Sequence, residues 1–190
     1  MQITFSKVFQ SVNKQDYALP VLQENIEMVT YTVICFLLPF VLGHPQLLVG
    51  SVVNCVLVLA ALNIRGWKLV PIIMFPSIGV LSAGVLFGTA SIALLYLMPF
   101  IWLGNAILVF GIKELQLHRK FNPALSLLAA AVAKTVFLFL SAFVLVSFGA
   151  IPALFLASMG MLQLQTALIG GVGAFVLQMI KKRFILLWRN

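Results

Sequence analysis

Charge is what this chain has least of. Of its 190 residues only 8% are Asp, Glu, Lys or Arg, and only four of those are acidic. A soluble domain carries about a quarter charged residues. So few charges exclude a water-facing surface, and 63% hydrophobic residues with a mean hydropathy of +1.15 point to an integral membrane protein, read as one domain. The four acids, Asp16, Glu24, Glu27 and Glu114, fall in the leader or at helix ends, so no carboxylate pair lies within an apolar run. There is no HExxH, no GxSxG and no glycine-rich phosphate loop. An enzyme is therefore not expected, and neither is a cofactor.

Cysteine and histidine are nearly as scarce. Cys35 and Cys55 sit within apolar runs and read as small buried side chains, with no CxxC and no Cys/His cluster to hold a metal. No signal peptide is evident, because the first long apolar run begins near Ile26, behind a polar leader. The net charge of +8 lacks the interleaved aromatics of a nucleic-acid surface, so nucleic acid is not an expected partner.

What remains is apolar sequence cut into lengths. Runs of about 20 apolar residues give six spans, roughly 26–42, 46–62, 68–87, 91–112, 123–147 and 161–180. The basic residues fall into alternate gaps: Lys7 and Lys14, then Arg65 and Lys68, then Lys113, Arg119 and Lys120, then Lys181, Lys182, Arg183 and Arg189. The intervening gaps, around "GHPQ", "FGTA" and "FGAIPALFLASMG", have neither Lys nor Arg. Basic loops face the cytoplasm. The expectation is an all-α, compact bundle of six transmembrane helices in the cell membrane, with both termini cytoplasmic and the lipid bilayer as its main contact. Residues 1–25 form a leader, 26–180 the membrane domain and 181–190 a basic cytoplasmic tail. In the leader, Phe5, Val8, Phe9 and Val12 share one helical face, which fits either an interfacial helix or a loose leader. The apolar outer loop with Gly149, Pro152 and Gly160 fits either a lid or a passive connector.

Polar residues inside the spans are the candidate site. At 1.5 Å per residue, Asn54, Ser77, Asn105 and Lys134 lie nine to twelve residues from the basic ends of four different spans, about 14–18 Å deep. Ser77 reads first as glue between helices. Trp102 precedes Asn105 by three residues on the same face and Pro99 kinks the same span, a combination suited to a pocket wall. Towards the outer side lie His44, Gln46, Ser82, Thr89, Gln163 and Gln165; the two glutamines that open the last span are the better substrate contacts. For Lys134 two readings are open. Its stem leans towards the cytoplasm, so snorkelling to Glu27 or Glu114 is favoured. The other has it facing the bundle, held by Asn54 or Asn105 and offering a counter-charge to an acidic solute. Small residues supply a third signal: Gly79, Ala83, Gly84 and Gly88 in the third span, and Ala167, Gly170, Gly171 and Ala174 in the last, at spacings that let helices approach closely.

Six spans in a chain of this length, with small-residue faces and stretches such as "LVPIIMFPSIGVLSAGVLFG" and "LLYLMPFIWLGN", resemble the substrate-binding S component of an energy-coupling-factor transporter. The resemblance implies capture of a small solute, vitamin-like or a related micronutrient, by a subunit energised by a transmembrane coupling subunit and two ATPases. The first span lacks the Ala-x-x-x-Ala face on which that family docks, so the resemblance implies docking through Gly79, Ala83, Gly84 and Gly88. The competing reading is a non-transporting membrane scaffold or assembly subunit.

Overall fold

The computed structural model describes residues 11–187. Seven α-helices carry the fold: α1 (Val21–Leu42), α2 (Gln46–Asn63), α3 (Leu69–Ala83), α4 (Leu94–Ile112), α5 (Pro123–Ser147), the short α6 (Leu154–Met159) and α7 (Met161–Leu187). No strand occurs among the described residues. Six helical stretches are long and apolar enough to cross a membrane, with α6 and α7 counted as one, and the chain is a multi-pass membrane protein.

Local chemistry explains most boundaries. Asn122 caps α5 by accepting from Ala124 N–H at 2.9 Å, with Pro123 at the first helical position. Gly84 ends α3 in the left-handed region, φ +66°, its N–H donating to Val80 O, a stop that a side chain would strain. A 3₁₀ turn, Gly88–Ala93, leads into α4, and a wide turn, Lys113–His118, carries it beyond Ile112.

Some expected boundaries shift. The first helix begins at Val21, bringing Glu24 into its first turn, and α7 runs to Leu187, so Lys181, Lys182 and Arg183 lie on a helix and not in a tail. The third helix stops at Ala83, four residues short of Phe87. Gly84 and Gly88 consequently lie outside it, and a Cβ on either would meet nothing within 4 Å. Within this chain they pack against no helix. Gly79 does: a Cβ there would collide with the backbone carbonyl of Phe36, so α1 and α3 touch backbone to backbone. That face is occupied inside the bundle and is not free to dock a partner. The leader stripe of Phe5, Val8 and Phe9 lies outside the described residues.

Of the six spans α2 is the most enclosed and α1 the least. The run from Val56 to Leu62 packs against Cys35 of α1, Leu69, Ile72 and Ile73 of α3, Leu108 and Ile112 of α4, Leu127 and Ala130 of α5, and Ala174 of α7. A second apolar cluster, Leu94, Leu97, Leu138, Ala142, Ile151, Phe155 and Met159, fills the other end of the bundle. The outward surfaces of α1 and α5 remain exposed and apolar, with Val33, Leu37 and Phe40, and Val136, Leu140 and Phe143, matched to lipid.

Candidate functional site

The two apolar clusters leave a cavity of about 90 Å³ between them. Its polar lining includes Asn54 of α2, Ser77 of α3, Asn105 of α4, Lys134 of α5 and Gln163 of α7, with Gln46 near the loops. Val49, Val53, Val80, Leu86, Leu94 and Ile101 supply apolar wall, and Phe87 and Met159 lie towards the loop end. Asn54, Asn105 and Lys134 thus line one space and are all at least 97% buried.

Lys134 faces the bundle. Its Nζ donates to Asn54 Oδ1 at 2.6 Å, and the favoured snorkelling reading is overturned. The carboxylates that snorkelling would have reached hold other cations: Glu27 pairs with Lys181 and Glu114 with Arg119. The lean of a stem sets only where a side chain starts; a four-carbon stem ends where a partner lies within reach.

The carboxamide of Asn54 is fixed from its other side. Its Nδ2 donates to Gly50 O and to Thr166 Oγ1, both at 3.0 Å, and Thr166 donates in turn to Gln163 O at 3.1 Å. Gly50 permits this approach, since a Cβ on it would lie 2.8 Å from Thr166 Cγ2. With Nδ2 held by two oxygens, Oδ1 is the atom turned to Lys134. Asn105 Nδ2 donates to Ile73 O at 3.0 Å, in the turn where Pro76 leaves Ile72 without its helical donor. Gln163 Oε1 is buried with no partner among the described residues.

Two substrate candidates are not brought to the cavity. Trp102 Nε1 donates to Ser77 Oγ at 2.8 Å, and Ser77 donates to Met74 O, so this pair ties α4 to α3. Gln165 is exposed on the outer side of α7. At the loop end, Phe155 of α6 packs on Phe87 with ring centroids 4.8 Å apart, and Ser158 donates to Gln46 Oε1 at 3.3 Å. The loop carrying α6 thus covers the cavity's end.

A second polar cluster at the opposite end went unread in the sequence. Glu24 is fully buried and accepts from Lys68 Nζ at 2.8 Å, Arg65 N at 3.0 Å and Nε at 3.3 Å, and Gln15 Nε2 at 3.1 Å. Asn63 and Gln178 exchange two amide bonds, at 3.0 and 2.8 Å, and Gln178 also donates to Asp16 Oδ2 at 3.0 Å. Asp16 pairs with Lys182 at 2.6 Å. Lys113, also fully buried, donates to Lys14 O at 2.6 Å. Tyr17 lies under Lys181, 5.5 Å from ring centroid to Nζ; burial, then the carboxylates of Glu27 and Asp16, push its phenol pKa up. Residues 14–17 are thus bound to α2, α4 and α7. The available signal was Asn63 and Gln178, polar residues at the ends of apolar runs, where they read as span boundaries.

Fold and site define a class: a six-span helical membrane protein with a small cavity lined by a buried lysine. No family model, curated protein or solved structure matches this chain.

Proposed function

We propose that this chain is a membrane substrate-capture subunit for uptake of a small solute, energised by separate partners. The observation that carries the reading is the cavity itself, where Lys134, Asn54, Asn105 and Gln163 converge near the short helix α6. Polar groups gathered about an internal space are expected of a ligand site. Helix packing alone is better served by pairs such as Trp102 and Ser77. The volume suits a small solute, being far below the roughly 300 Å³ at which drug-sized pockets begin.

Orientation in the cell membrane follows from the basic loops. Arg65, Lys68, Lys113, Arg119 and the end of α7 lie on the cytoplasmic side, which turns the cavity's loop end outward. No nucleotide-binding motif occurs in the sequence. As in the S components that it resembles, a transmembrane coupling subunit and ATPases would supply the energy.

Native mass spectrometry of the protein purified in mild detergent tests this directly. A retained small solute, with ATPases copurifying, is the expected result. Solute-free protein in company with a large enzyme or cell-envelope complex would replace transport by the scaffold reading.

A further inference from the structure

We infer that the solute is a small monoanion, a short carboxylate whose charged end sits against Lys134 and Asn54 and whose apolar body lies along Val49, Val53, Val80 and Ile101. This rests on the capture reading and adds the class of substrate.

The chain has four acidic residues, and each holds a cation at the end of the bundle away from the cavity. Asp16 holds Lys182, Glu24 holds Lys68 and Arg65, Glu27 holds Lys181, and Glu114 holds Arg119. None is left for Lys134. Its ammonium has three donors, of which one goes to Asn54 Oδ1, a neutral oxygen. Lys113, the other fully buried lysine, has Glu24 near enough to attract its charge. Lys134 has one neutral acceptor among the described residues and no carboxylate near it, and is electrostatically incomplete. An anion entering the cavity completes it.

The same count sets the charge of the ligand. One ammonium balances one negative charge, and the remaining polar groups on the wall are neutral amides and a hydroxyl. A doubly charged phosphate would bring an uncompensated charge into a low-dielectric space. Size and polarity set the rest. At about 30 Å³ of liquid volume per water, 90 Å³ corresponds to roughly three waters, more than a halide needs. The walls between the amides are Val, Leu and Ile, which fit a short hydrocarbon body.

The test uses the full chain in phosphatidylcholine nanodiscs, whose lipid carries no net charge, titrated with butyrate and with the isosteric neutral butyramide. Butyrate should bind at least tenfold more tightly than butyramide, and Lys134→Met should reduce that preference below twofold. Asn54→Asp, which keeps the volume and sets a carboxylate on the same ammonium, should abolish butyrate binding; it decides the matter if Lys134→Met does not fold. Equal affinity for the two probes, or undiminished butyrate binding by folded Asn54→Asp, overturns the inference. If neither probe binds while a neutral or cationic solute is retained in native mass spectrometry, the anion inference fails and solute capture stands. Solute-free protein that binds neither probe ends both.

Discussion

Glu24 and Lys134 are both buried charges, and they differ in what the chain provides around them. Glu24 has two cations and two further N–H donors within 3.3 Å, so its charge is balanced from within. Removing it leaves Lys68 without its anion, while the half-exposed Arg65 turns to water. Glu24→Ala should therefore cost about 3 kcal/mol, the low end for breaking a buried pair, read as a lower melting temperature. An unchanged melting temperature would mean that water replaces the carboxylate. The lysine was legible as an anomaly because a lone charge stands out in an apolar run. Its direction was not, since that depends on Asn54, on another helix and 80 residues away. Glu24 reads in the sequence only as a boundary charge, because it lies at a helix end, where charge is ordinary.

Among elements, α3 shows how a pattern is read and misread. "SIGVLSAGVLFG" offers small residues at four-residue spacing, which promises one continuous packing face if the helix runs through. It stops at Ala83, so the stripe divides into a glycine chosen for closeness and two chosen for backbone conformation. Substitutions separate the two. Gly79→Ala forces α1 from α3 and should cost about 2 kcal/mol, as overpacking does. Gly84→Ala meets open space and bears only the left-handed conformation, about 1 kcal/mol. Thermal unfolding of both variants checks the order; a larger loss from Gly84→Ala would return it to the packing face. Spacing alone did not show where the helix ends, because Gly84 serves equally as a contact or a stop. The span count was legible for a different reason: alternation of basic and uncharged gaps is a property of whole loops, insensitive to a few residues at either end.

For the molecule as a whole, the orientation is testable at exposed loop positions. With both native cysteines replaced, single cysteines at His44 and Phe148 should react with an impermeant maleimide added outside intact cells, whereas one at Arg119 should react only after permeabilisation. Labelling of Arg119→Cys in intact cells would invert the topology and turn the cavity mouth inward. How the two ends of the chain meet was not legible, because no local pattern links Asp16 to Gln178. That meeting has a consequence in time. Asn63 and its amide partner Gln178 are 115 residues apart, and a ribosome adds about 5–20 residues per second. The second helix thus waits roughly 6–23 s for the last. Throughout that interval Asp16, Glu27 and Asn63 at the polar end, and Asn54 within the span, lack the groups that α7 will bring, and within hydrocarbon an unsatisfied polar group such as Asn54 costs several kcal/mol. A nascent chain that stalls before α7 therefore carries its own mark of incompleteness, unpaired polar groups that only the last helix can satisfy.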